Sequence, residues 1–380
     1  MHYGKALVEA NRRPGRIPVY GSNGQTGWHD APLAIGPAVI LGRKGMGPLG
    51  VEWCSTPFWV IDTAYYVTFK KEHIFPRFFY YFTKYTGLNH LKHGTSNPSL
   101  SRDVFYRQSI PCPPLSVQGR IAEVLSAYDD LIENNTRRIA ILEEMARRIF
   151  EEWFVRFRAP GVDPSRLVDS PLGPIPEGWE VTTIDALAAY VNRGIAPKYD
   201  DNGETLVINQ KCIRDQRLSL APARQQSKSV PEAKFVKRHD ILINSTGVGT
   251  LGRVAQAPDV PPGCTVDSHV TIVRRSECID PYFWGLALLR MEPALSDAGI
   301  GSTGQTELQR DRIKAAQLVA PPAELQMRFG RFVEPMRELP ILLERQNQNL
   351  RSQRDLLLPK LISGEIDVSA AEQIIQDAAA

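Results

Sequence analysis

Two glycine triplets have the spacing to do chemistry: Gly45-x-Gly47-x-x-Gly50 and Gly247-x-Gly249-x-x-Gly252. A dinucleotide site needs such glycines between a strand and a helix, so that the helix N-terminus faces the pyrophosphate. Here a strand-like run precedes each triplet, but Pro48 to Trp53 and Thr250 to Ala255 read as a second strand. The glycines therefore predict a tight hairpin rather than a phosphate cradle. The flanking Arg43, Lys44, Asn244, Ser245 and Thr246 are then left to face solvent or a polyanion. Asp267 and His269 lie two apart in a predicted strand and share a face, which suits structural hydrogen bonding better than catalysis.

Other chemistries are excluded by what their motifs lack. Asn97-Pro98-Ser99-Leu100 approaches the Asn-Pro-Pro-aromatic pattern of N6-adenine methyltransferases. It lacks the second proline and the aromatic ring that would stack on a flipped base. There is no Walker A sequence, no HExxH, and no recognisable setting for a serine or cysteine nucleophile. The expectation is a binding protein with no catalytic residue. The five cysteines form no CxxC pair and are odd in number, which predicts a reducing compartment and no metal cluster. The chain shows no signal peptide and no apolar run of membrane-spanning length, so a cytoplasmic, soluble protein is expected. A net charge of +3 is compatible with nucleic acid and diagnostic of nothing.

The elements that position these residues come in duplicate. Besides the glycine triplets, Val60-Ile61-Asp62-Thr63 matches Thr265-Val266-Asp267-Ser268. Pro76 with Phe78 to Phe82 matches Pro281 with Tyr282, Phe283 and Trp284. Pro113-Pro114 with Gln118 matches Pro321-Pro322 with Gln326. The order is kept, and the offset drifts only from about 202 to 208 residues, as small loop insertions produce. Each half reads as short strands such as Ala38 to Leu41 or Asp240 to Ile243, then a short helix opened by Pro76 or Pro281, then a polar loop. A double proline follows and leads into a long helix.

Those helices carry heptad spacing. The first runs Ile121, Leu125, Tyr128, Ile132, Asn135, Ile139, Leu142, Ala146, Ile149 and Trp153. It predicts a coiled-coil rod of roughly 45–50 Å. The second runs Phe329, Val333, Met336, Pro340, Leu343, Asn347, Leu350, Arg354, Leu357 and Leu361, with Pro340 and Arg354 off type. If the rods pair antiparallel, Ile121 meets Leu361 and Asn135 falls opposite Asn347, two amides placed to set the register. The stretch from Arg158 to Glu177 reads as the linker between halves. The second half opens with Gly178-Trp179-Glu180-Val181, which the first half lacks, so the first half is expected to be N-terminally shortened.

With these features assembled, the chain resembles the specificity subunits of type I restriction–modification systems. The resemblance rests on Ile17 to Gly24, the Gly42-Arg43-Lys44-Gly45 turn, Phe58 to Ala64 and Pro111 to Leu115. The most specific match is Arg354-Asp355-Leu356-Leu357-Leu358-Pro359-Lys360-Leu361-Ile362-Ser363-Gly364-Glu365-Ile366. It implies an α+β fold: two tandem target-recognition domains of mixed α/β type, joined by two long helices that pair as an antiparallel coiled coil. The corresponding parts are a shortened first recognition domain at 1–114, a central helix at 115–158, a linker and second recognition domain at 159–322, a distal helix at 323–366, and a tail at 367–380. The helices would hold apart two domains, each reading half of a split site in double-stranded DNA. The implied partners are two methylation subunits and the restriction subunits. S-adenosylmethionine, ATP and Mg would be held by those partners, and no cofactor by this chain. A coiled-coil scaffold that reads no DNA, or a degenerate specificity subunit, is the competing expectation.

Base readout needs forked or amide side chains, whereas lysine and arginine on phosphates mainly position the protein. The candidates in the first half are Ser22, Asn23, Gln25, Lys44, Ser96 and Asn97. In the second half they are Asn209, Gln210, Lys211, Ser245, Thr246, Ser302, Thr303 and Gln305.

Overall fold

The structure is a computed structural model describing residues 1–69, 73–163, 165–300 and 306–368. It is an α+β protein of two units: Met1–Thr136 with Arg345–Ala380, and Arg137–Glu344. Ser302, Thr303 and Gln305 lie outside the described residues.

In the first unit the strand Ala38–Gly42 is buried along its whole length. Its alternating residues serve two cores. Val39 and Leu41 pack with the aromatic helix Pro76–Thr86, while Ala38 and Ile40 pack with Tyr20, Phe58 and Val60. Burial on both faces explains why the run is continuously apolar. The strand sits in a four-stranded sheet ordered His2–Tyr3, Ala64–Val67, Ala38–Gly42, Val51–Cys54. A smaller sheet orders Gly24–His29, Ile17–Gly21, Trp59–Val60.

The second unit repeats this topology. Its four-stranded sheet orders Ala188–Arg193, Val270–Arg275, Ile241–Asn244, Val254–Gln256. The smaller sheet orders Arg224–Gln226, Thr205–Ile208, Thr265–Val266. Ile241 and Ile243 face one core and Leu242 the other. The strand Glu180–Thr183 pairs with Gln317–Ala320, ahead of the double proline. Among the described residues, the first unit has no such pair.

Each double proline is anchored by a buried glutamine. Gln118 Nε2 donates to the Pro113 carbonyl at 2.8 Å, and its Oε1 accepts from Phe75 N, at the start of the aromatic helix, at 2.8 Å. Gln326 repeats the first bond, to Pro321 O at 2.8 Å, and accepts from Asp280 N at 3.4 Å. Both prolines open their helices at the first position, as expected. Asp280 caps the second of these helices through the N–H groups of Tyr282 and Phe283, each at 2.9 Å.

The central helix runs Leu115–Phe150 and the distal helix Ala323–Ser363. Every heptad position named above is buried or half-buried. In the first unit, Ile121, Leu125 and Tyr128 share one core with Leu357 and Leu361. Pro340 does not break the distal helix, because its ring is buried at a seam position and packing outweighs the missing N–H. Arg354 is not off type in effect. Its guanidinium bonds Asp129 Oδ1 at 2.5 Å, and Asp129 Oδ2 accepts from Tyr81 Oη at 2.7 Å. The expected seam is displaced at one end. A π-helical turn at Glu151–Val155 inserts extra chain, so Phe150 and Phe154 take the buried places and Ile149 and Trp153 pack only partly.

In the first unit, Asn135 Nδ2 donates to Asn347 Oδ1 and to Gln346 Oε1, both at 3.1 Å. Both asparagines are buried. Asn135→Leu should cost about 1–3 kcal/mol in denaturant unfolding, because it strands the Asn347 amide in an apolar seam. The double variant Asn135→Leu/Asn347→Leu should recover most of that loss while loosening register. A single variant as stable as the parent would remove the pair from any role in the seam.

Candidate nucleic-acid interface

Both glycine triplets make hairpins. Ala38–Gly42 pairs antiparallel with Val51–Cys54, and Ile241–Asn244 with Val254–Gln256. A strand, not a helix, follows the glycines, so neither loop is a dinucleotide cradle.

Main-chain hydrogen bonds join three loops into one frame in each unit. In the first, Arg43 N donates to Thr63 O at 2.9 Å, Leu100 N to Arg43 O at 2.8 Å, and Ile61 N to Tyr20 O at 2.9 Å. In the second, Ser245 N donates to His269 O at 2.8 Å, Leu308 N to Ser245 O at 2.8 Å, and Asp267 N to Ile208 O at 2.9 Å. Lys44 bridges to Ser99 as Thr246 bridges to Glu307. The frames therefore equate Ser22, Lys44, Thr63 and Ser99 with Gln210, Thr246, His269 and Glu307. They also correct the repeat by one residue: Val60 occupies the place of Val266, so Asp62 falls on Ser268 and not on Asp267.

One glycine in each unit lets the chain pass close beneath the frame. A Cβ on Gly4 would stand 2.0 Å from Ile61 O, and one on Gly194 would stand 1.8 Å from Val266 O. Gly4 N donates to Ala64 O at 3.2 Å and Gly194 N to Val270 O at 3.1 Å.

The first-half candidates gather unevenly. Ser22 bonds the Lys44 carbonyl, and also Thr63 O at 3.0 Å, so its hydroxyl is spent on the main chain. Lys44 is half-buried beside it. Asn23 is exposed, with its amide beside Gly47. Gly45 N donates to Pro98 O at 3.1 Å, which brings the exposed Ser96–Asn97 loop alongside. Gln25 lies further along on the strand Gly24–His29, exposed and bonded to Gly27 O at 3.3 Å. Sequence reasoning missed Lys92, whose Nζ holds Gly45 O at 3.1 Å and Gly47 O at 2.9 Å.

In the second half, Gln210 Nε2 donates to Thr246 Oγ1 at 2.5 Å, and Lys211 is exposed next to Gln210. Asn209 is committed to structure: its Oδ1 accepts from Lys211 N at 2.9 Å and its Nδ2 donates to Pro222 O at 2.7 Å. Ser245 is fully buried, its hydroxyl 2.6 Å from Thr271 Oγ1, and offers no polar atom to a ligand. Asn244 is equally buried. Asp267 bridges to Ile195 just after the strand Thr265–Val266, whereas His269 lies in the turn that follows, with His269 N donating to Asp267 Oδ1 at 2.9 Å. Burial pushes the Asp267 carboxyl up, and the His269 N–H pulls against that shift. Sequence reasoning named His269 only as a structural group, yet it is exposed in the frame; it did not name Arg193, which pairs with Glu307 at 2.5 Å. The signal for His269 was its place beside the repeated Asp/Ser-Thr segment, obscured by the one-residue slip.

Among the described residues, no group of three or more His, Cys, Asp or Glu could hold a metal ion. No helix among them is long and apolar enough to cross a membrane.

The chain is thus a duplicated α+β scaffold that presents a three-loop polar frame in each unit. Residues 5–144 match the type I restriction modification DNA specificity domain. The specificity subunit of type I restriction enzyme MjaIX from Methanocaldococcus jannaschii is 27% identical over 290 residues, covering 74% of this chain and 66% of that protein. The HindI specificity subunit from Haemophilus influenzae is 22% identical over 335 residues, covering 71% of each. The match thus spans just under two thirds of the first of these relatives. A solved structure of a type I restriction–modification S subunit from M. genitalium shares the fold, with a TM-score of 0.63 at 15% identity, covering 94% of this chain and 92% of that one. The chain is similar to the type I restriction–modification specificity subunits, and its residues 5–144 match the model of their DNA specificity domain.

Proposed function

We propose that this chain is the DNA-recognition subunit of a type I restriction–modification complex. Each unit reads one half of a bipartite site, and partner methylation and restriction subunits act where it binds. The chain itself is non-catalytic; S-adenosylmethionine, ATP and Mg belong to the partners. The observation that supports this most is the repeated frame: one main-chain geometry, occupied by Ser22, Lys44, Thr63 and Ser99 in one unit and Gln210, Thr246, His269 and Glu307 in the other. A scaffold has no need of two such frames with different polar residues, whereas a reader of two unlike half-sites does.

The test is a base-resolution adenine methylation map of a methylation-free host carrying this gene and its methylation partner. A split motif, methylated on both strands and lost with this gene, is expected. Assembly of the partner complex with no sequence-specific methylation would leave the scaffold reading instead.

A further inference from the structure

The frame in the second unit partners one ring nitrogen of an exposed histidine, His269, and leaves the other open. Gln210 Nε2 donates to the Thr246 hydroxyl at 2.5 Å, and Thr246 Oγ1 lies 2.8 Å from His269 Nδ1. A hydroxyl carries one proton. Among the described residues Thr246 Oγ1 has only Gln210 and His269 as partners, so the arrangement that uses its proton sends it to His269 Nδ1, and the ring proton of neutral His269 then resides on Nε2. The main chain of His269 is anchored as well. His269 N is held by Asp267 Oδ1 at 2.9 Å, and His269 O accepts from Ser245 N at 2.8 Å. Gln210 is anchored by Asn244, whose Nδ2 donates to Gln210 O at 3.1 Å. The position of His269 in the frame is that of Thr63, so the two units hold different groups at one place.

We propose that His269 is a specificity-determining residue of the second unit, presenting Nε2–H as a fixed donor to an acceptor on a base edge. This rests on the reading that the second unit recognises DNA. A donor held in one sense selects base pairs that offer an acceptor there: guanine N7 or O6, adenine N7, or thymine O4. It rejects cytosine, whose N4 amino group would meet it donor to donor. Lys211, exposed beside Gln210, is suited to a phosphate and carries no such preference.

The experiment uses the full chain assembled with its methylation partner. Methylation rates are measured on duplexes that vary each position of the second half-site in turn. At one position the parent should favour its base pair by about tenfold, and His269→Ala should reduce that to about twofold with the other positions unchanged. His269→Gln, which keeps an amide donor at similar reach, should retain most of the preference. Thr246→Val, which removes the group that fixes the ring, should lower it at the same position only. An Ala variant that methylates with every preference intact overturns the proposal. Should that variant fail to fold, the parent on 7-deazapurine and 4-thiothymine duplexes and the Thr246→Val variant decide instead. No response to any substituted acceptor, with Thr246→Val unchanged, overturns it. A parent with no preference anywhere in the second half-site would refute DNA reading by this unit, a different failure from that of His269.

Discussion

Arg274→Met is expected to destabilise the second unit by about 3–5 kcal/mol, measured by denaturant unfolding. Asp240 is 1% exposed and immediately precedes the strand Ile241–Asn244. Arg274 meets it with two parallel bonds, Nε to Oδ1 at 2.8 Å and Nη2 to Oδ2 at 2.7 Å. The same guanidinium donates to Phe235 O at 2.8 Å. Removing it leaves a carboxylate away from water with only the Lys237 N–H, at 2.7 Å, to hold it. The penalty is that of the uncompensated charge rather than of the lost pair. The strand registers place Ala38 and Thr68 where the second unit has Asp240 and Arg274. The double variant Asp240→Ala/Arg274→Thr, which copies the first unit, should therefore regain most of the loss. Arg274→Met within about 1 kcal/mol of the parent would mean that water or a neighbour solvates Asp240 after all.

Gly194→Ala should be as damaging, for a steric reason. The new Cβ would stand 1.8 Å from Val266 O and 2.5 Å from Asp267 O. Both obstacles are main chain and cannot rotate away. Either the Gly194 N–H bond to Val270 is given up or the loop carrying Asp267 and His269 moves. A cost above about 3 kcal/mol is expected, at the upper end for overpacking. Limited proteolysis should show cleavage within the second unit. Gly4→Ala, 2.0 Å from Ile61 O, should expose the first unit instead. An unchanged cleavage pattern in either variant would mean that the frame tolerates a shift of that size.

These two sites show what the sequence makes legible. The seam from Ile121 to Ala146 could be read directly, since periodic burial has a periodic signature. The hairpin nature of the glycine triplets was equally plain, because β-like residues follow them. Ser245 and Thr246 show the limit. They are adjacent and chemically alike, yet one hydroxyl is locked in the core beside Thr271 and the other bonds His269. Which one faces outward depends on where the strand Ile241–Asn244 ends, and that is settled by its partners rather than by local composition. Trp153 was misplaced because a single π turn changes the helical phase without leaving a mark in residue type. Arg354 looked like an intruder because its partners Asp129 and Tyr81 are distant in the chain.

The composition of the frame also bears on how such a protein changes over generations. Its bonds run between peptide groups, which every residue except proline supplies in the same form. Selection can therefore rewrite the side chains at positions such as Thr63 and His269 without disturbing the geometry that displays them. On the proposed function, the inheritance of the fold and the inheritance of the target are separable, and a few codon changes at these positions are a short mutational path to a new address.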